Sequence, residues 1–123
     1  MSVAEKIVLV VDDDLAVRES LKFDLELAGL AVGTCDCGAA LLARADLAKA
    51  DCLVLDCKMP DMDGFAILGE LAARGITAPV ILMTAPLTES LRRRARKAGV
   101  FAILEKPLLD DVLIKNVRSA TLH

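Results

Sequence analysis

The sequence predicts an α/β domain of the doubly wound kind, with helices covering both faces of a parallel sheet. Three observations carry that prediction. Short apolar runs alternate with amphipathic stretches along the chain, the pattern of successive βα units. At least three of the runs are almost continuously apolar, as strands buried on both faces must be. The length of 123 residues and the 55% hydrophobic content suit one compact domain, residues 1–123, with a sizeable core. No repeat of solenoid period, linker or low-complexity segment breaks the pattern.

The elements follow in order. "KIVLVV" (6–11) is the first strand. In "LAVRESLKFDLELAG", Val17, Leu21, Leu25 and Ala28 share one helical face, Arg18, Lys22 and Glu26 lie on another, and Gly29 marks the stop. "LAVGTC" (30–35) is the second strand, followed by an Ala- and Leu-rich helix over 38–48. "DCLVLD" (51–56) and a helix over 64–74 come next, then "PVILMT" (79–84) with a helix over 87–98. "VFAILE" (100–105) and a helix over 110–121 complete the set. Gly75 and Gly99 fall where C-terminal caps are expected, and Asp110 or Asp111 is placed to cap the last helix.

Composition excludes several functions. The net charge is −3, Trp and Tyr are absent and there are three Phe, which argues against direct nucleic-acid binding by a basic footprint or by base stacking. The opening run is too short for a secretory signal, and no apolar stretch approaches the ~20 residues of a membrane span. A cytoplasmic protein with no membrane contact is expected. Cys35, Cys37, Cys52 and Cys57 form no C-x-x-C pair and the only histidine is His123, so a zinc site is not expected. Reduced, buried thiols are the plain expectation; a redox-sensing Cys57 is the alternative.

The chemistry gathers where the strands end. In open α/β sheets, functional groups lie beyond the carboxyl ends of the strands. Asp12, Asp13 and Asp14 follow the first strand, Asp56 ends the third, Thr84 ends the fourth, and Lys106 follows the fifth. At roughly 4 Å and an effective dielectric of about 20, two like charges repel by about 4 kcal/mol, so clustered carboxylates call for a cation. Oxygen ligands suit Mg²⁺, a carboxylate can attack phosphorus, and a lysine and a hydroxyl can neutralise the transferring group. Asp14 reads as a helix N-cap, and Asp61 and Asp63 as loop and cap residues.

These residues resemble the receiver domain of two-component response regulators. The likeness rests on "VLVVDDD" with Asp12 and Asp13, "LVLDCKMPDMDG" around Asp56, "ILMTA" with Thr84, and "EKP" at 105–107, and it covers essentially the whole chain. It implies a five-stranded sheet of order 2-1-3-4-5, the flavodoxin-like (βα)5 arrangement. It implies that Asp56 is the phosphoacceptor, with Mg²⁺ held by Asp13, Asp12, Asp56 and the backbone carbonyl of Lys58. Thr84 would hydrogen-bond the phosphoryl group and Lys106 would pair with it, beside a cis Lys106–Pro107 bond. The implied protein is a switch rather than an enzyme, assisting its own phosphorylation and dephosphorylation. Its implied partners are a sensor histidine kinase or histidine phosphotransfer protein, and a dimer mate or output partner on the helix 4, strand 5, helix 5 face.

Three features depart from or complicate that pattern. Ile103 stands where receivers often carry Tyr or Phe, which raises an altered coupling from Thr84 to the output surface. Pro86 either begins the fourth helix or stiffens the loop carrying Thr84. Arg92, Arg93, Arg94, Arg96 and Lys97 make the fourth helix basic, as a solvated face or as a docking face for an acidic partner. Two further readings compete: a receiver-shaped interaction module without phosphorylation, and a haloacid-dehalogenase-type phosphatase using the D-x-D of Asp12 and Asp14.

Overall fold

The computed structural model describes residues 5–122; His123 lies outside them. Five strands, β1 (Ile7–Val11), β2 (Ala31–Cys35), β3 (Cys52–Asp56), β4 (Val80–Thr84) and β5 (Ala102–Glu105), form one sheet in the order β2-β1-β3-β4-β5. All four pairings are parallel. The helices are α1 (Leu15–Leu27), α2 (Gly38–Leu42), α3 (Gly64–Ala73), α4 (Glu89–Lys97) and α5 (Val112–Ala120), with a 3₁₀ turn at Leu47–Lys49.

Strand parity divides the core, because successive side chains point to opposite faces. Leu9, Val11, Leu53, Leu55 and Leu82 pack with Leu41 of α2, Ile67 of α3 and Ala95 of α4. Val8, Val10, Val54, Ile81 and Met83 pack with Leu21 and Leu25 of α1 and Leu113 and Val117 of α5. The central strands β1, β3 and β4 are buried along nearly their whole length. A fully buried Leu or Val contributes about 1.5–3 kcal/mol, so a register slip, which would move every side chain to the other face, is strongly disfavoured. Ile103 packs on the α2, α3 and α4 side and pairs in register with Leu82.

The helix ends follow local chemistry with three corrections. Asp14 caps α1, accepting from Ala16 N and Val17 N, and Asp63 caps α3 through Ala66 N. Gly29, Gly75 and Gly99 take positive φ just beyond α1, α3 and α4, where a Cβ would be strained. The helix expected over 38–48 ends at Leu42. There Arg44 turns back to hold Asp46 through Nε at 2.8 Å and Nη2 at 3.0 Å, a contact between i and i+2 that a continuous helix cannot make. Helix α4 starts at Glu89 under a Thr88 cap, so Pro86 precedes the helix and the expected start at 87 is not found. Asp111 occupies the N-cap position of α5 without a capping bond and pairs instead with Lys115 at 3.5 Å.

No helix among the described residues is long and apolar enough to cross a membrane.

Candidate functional site

The parallel ladders carry the chain straight to the site. Beyond the strands, Asp12 N donates to Cys35 O at 3.1 Å, Cys57 N to Met83 O at 2.8 Å and Lys106 N to Thr84 O at 2.8 Å. The backbone at each strand end is therefore fixed by its neighbour, which brings side chains from distant parts of the chain together at one edge.

Parity then sorts them. Asp12, Asp56 and Lys106 continue the even-numbered positions that face α1 and α5. Lys106 Nζ donates to Asp12 Oδ2 at 2.7 Å and to Asp56 Oδ2 at 2.9 Å. The Asp12 side chain is 0% exposed and that of Asp56 9%. Burial pushes the Lys106 ammonium down, but the hydrogen bonds to Asp12 and Asp56 outweigh it, so its pKa lies above the ordinary lysine value. The second oxygens are also engaged: Asp14 N donates to Asp12 Oδ1 at 2.9 Å and Lys58 N to Asp56 Oδ1 at 3.0 Å.

Asp13, at an odd position after β1, and Thr84, on β4 where Ile81 and Met83 are the residues that face α1 and α5, point to the other side. Together with Cys57 they line a cleft of about 530 Å³ whose further walls include Met59, Phe65 and Arg94. Thr84 is 1% exposed, and among the described residues no nitrogen or oxygen partners its Oγ1, although the Cys57 thiol lies beside it. An unsatisfied buried hydroxyl costs about 1–3 kcal/mol, which leaves this oxygen with capacity for a further hydrogen bond. The Cys57 thiol is pushed up to about 11 by burial and by the charge of Asp56. It is held protonated and is a poor nucleophile, which counts against the redox-sensing alternative. All four cysteines are free.

Asp12, Asp13 and Asp56 each offer an oxygen within 4.8 Å of the others. The single ammonium of Lys106 pairs with two of the three carboxylates, all the ligand atoms are hard oxygens, and Asp13 is solvent-exposed. That donor set fits a divalent cation that keeps part of its water shell.

Three contacts escaped the sequence. Arg18, placed with Lys22 and Glu26 on a second face of the first helix, donates from Nη1 to Asp12 O at 2.7 Å and steadies the first acid from behind. Asp61 accepts from Gly38 N at 3.2 Å and Ala39 N at 2.9 Å, tying the loop after Asp56 to the start of α2. The Ala39 N–H foremost holds the Asp61 carboxyl below the usual range. A Cβ at Gly38 would lie 2.5 Å from Met62 Cγ, so glycine permits that close approach. Arg94 stacks on Phe65, with Cζ 4.0 Å from the ring centroid. Residue spacing carries no signal for the contacts of Asp61 and Arg94, since each joins elements that meet only in the folded chain; the Arg18 contact is local but ends on a backbone carbonyl, which no residue type marks.

Asp14 is spent on capping α1, which removes the second acid of the D-x-D pattern and with it the phosphatase reading. Both Lys106–Pro107 and Ala85–Pro86 are cis.

Comparison with known proteins agrees with this geometry. Residues 8–118 match the response regulator receiver domain family. The transcriptional regulatory protein FixJ of Azorhizobium caulinodans is 43% identical over 111 residues, covering 90% of this chain and 53% of FixJ. The C4-dicarboxylate transport transcriptional regulatory protein DctR of Rhodobacter capsulatus is 39% identical over 113 residues, covering 90% of this chain and 57% of DctR. The chain thus spans about half the length of these curated relatives. The crystal structure of FixJ-N superimposes with a TM-score of 0.86 at 34% identity, over 98% of this chain and 97% of that one. The chemotaxis protein CheY4 of Vibrio cholerae gives 0.88 at 27% identity, over 95% and 99%. The fold, the strand-end acids with their lysine, and these matches together establish that the chain belongs to the response regulator receiver domain family of two-component systems.

Proposed function

We propose that residues 1–123 act as one Mg²⁺-assisted phosphoacceptor switch, with Asp56 taking the phosphoryl group. The observation that carries this reading is the strand-end convergence itself. Asp56 sits 2.9 Å from the Lys106 ammonium, while across the same edge Thr84 holds a buried hydroxyl with no partner. Asp12, Asp13, Asp56 and the backbone carbonyl of Lys58 would hold Mg²⁺, which when bound neutralises charge on the transferring oxygens.

The chain's own groups divide the remaining work. An Asp56 oxygen forms the bond to phosphorus as the donor's bond to phosphorus breaks. Lys106, already between Asp12 and Asp56, keeps its ammonium beside the new phosphoryl oxygens. Thr84 Oγ1 donates to one of them and so gains the partner it lacks. Asp61 keeps the loop that carries the Lys58 carbonyl fastened to α2. The donor is a sensor histidine kinase, a histidine phosphotransfer protein or a small phosphodonor. The output is a changed surface over α4, β5 and α5, where the basic side of α4 suits an acidic partner. Activity in the cytoplasm is part of the same reading.

Intact-mass measurement after incubation with Mg²⁺ and acetyl phosphate tests it. The wild-type chain gains one phosphoryl group and Asp56→Asn gains none. A wild type that takes no phosphoryl group from a small donor or a cognate kinase would overturn the proposal in favour of a phosphorylation-independent interaction module.

A further inference from the structure

Helix α4 carries five cations, and Arg94 is set apart from the others. Its guanidinium lies over the Phe65 ring at 4.0 Å, and it lines the same cleft as Asp13 and Thr84. Lys106 lines a different cleft, on the α1 side of the sheet edge. The two cations therefore border different clefts along the same strand-end edge.

Stacking engages only the face of a guanidinium; its N–H donors stay in the plane and remain available. Among the described residues, no carboxylate pairs with Arg94. The cleft thus has the unpartnered Thr84 hydroxyl at its strand-end wall and an unpaired, oriented cation at its helix wall. Lys106 is already committed to Asp12 and Asp56. Lys58 also lines this cleft, its Nζ donating to Ala85 O at 3.4 Å, so a further negative charge at the helix wall meets Arg94.

Transfer from an acyl phosphate produces such a charge. The Asp56 oxygen bonds to phosphorus, the bond between phosphorus and the acyl oxygen breaks, and the electron pair leaves on that oxygen as a carboxylate. No proton need move. We propose that Arg94, held in place by Phe65, is a donor-specificity residue that receives the departing carboxylate of a small acyl phosphate. This rests on Asp56 being the acceptor. A donor whose leaving group is a neutral amine makes no use of Arg94.

The test compares acetyl phosphate, which releases acetate, with phosphoramidate, which releases ammonia. Both are followed by intact mass in the presence of Mg²⁺. Arg94→Gln slows phosphoryl gain from acetyl phosphate roughly fivefold, the size of one partly screened charged hydrogen bond, and leaves the phosphoramidate rate within about twofold. Arg94→Lys, which keeps the charge without the planar fork, falls between. Equal slowing with both donors, or no slowing with either, overturns the proposal.

A binding measurement separates this inference from the acceptor assignment. By heteronuclear NMR, the wild type binds phosphonoacetate more tightly than methylphosphonate, and Arg94→Gln removes that preference. A preference that survives the substitution overturns the role of Arg94. If neither donor phosphorylates the wild type, the transfer role of Arg94 falls, whereas the assignment of Asp56 falls only if a cognate kinase fails as well.

Discussion

Replacing Lys106 by Met keeps an unbranched side chain one atom shorter and removes its charge. The wild-type ammonium makes two charge-assisted hydrogen bonds, 2.7 Å to Asp12 and 2.9 Å to Asp56, to carboxylates that are 0% and 9% exposed. Breaking a buried ion pair costs about 3–5 kcal/mol because the remaining charge is stranded. The Lys106 side chain is 24% exposed, so water screens part of the loss and about 2–3 kcal/mol is expected. That corresponds to a fall in Tm of roughly 10 °C for a domain of this size. The chain has no Trp or Tyr, so the assay is urea unfolding followed by far-ultraviolet circular dichroism, without Mg²⁺. The pH dependence has a definite sign. The folded pKa of Lys106 is raised above its ordinary 10.5, so its contribution is fully present below that value and is lost as pH rises through the higher folded one. The gap between wild type and Lys106→Met stays constant through neutral pH and closes only above the ordinary lysine range. A loss under about 0.5 kcal/mol, the level of a surface pair, or a gap that closes near neutrality would refute the reasoning.

Two further outcomes follow from the same edge of the sheet. Mg²⁺ raises the Tm of the wild-type chain, because it relieves repulsion among Asp12, Asp13 and Asp56 and binds only the folded state; Asp13→Ala largely abolishes the rise in thermal melts with and without the ion. Thr84→Val replaces a buried, unpartnered hydroxyl by a methyl and stabilises the free chain by about 1 kcal/mol in urea unfolding, while shortening or preventing phosphoryl retention by intact mass. Destabilisation by Thr84→Val would mean that the hydroxyl already has a partner in the free protein.

Legibility in the sequence followed locality. The first four strands were readable to within a residue at each end, because strands buried on both faces leave continuous apolar runs such as "IVLVV" and "CLVLD", whereas the half-buried fifth begins at Ala102, two residues after the expected start. Asp14 and Asp63 were readable as caps because the bonds they make reach only two or three residues ahead. The end of α2 was not readable: "GAALLARADLA" is dominated by the helix formers Ala and Leu, and the helix breaks where Arg44 turns to Asp46 and towards β2. The start of α4 shifted for a similar reason, since Leu87 N is held by the Glu105 carboxylate at 2.8 Å, a contact from another strand.

By itself the sequence determined the class of fold, the strands and the set of acids, hydroxyl and ammonium at their carboxyl ends, because those follow from periodicity and from where a parallel sheet must end. Tertiary structure alone decided how that set divides. Parallel register and strand parity turned Asp12, Asp56 and Lys106 to one side as a closed ion cluster. They left Asp13 and Thr84 facing a cleft walled by Phe65 and Arg94. Asp12 and Lys106 are 94 positions apart, and which oxygen an ammonium reaches across that distance depends on the packing of the whole sheet.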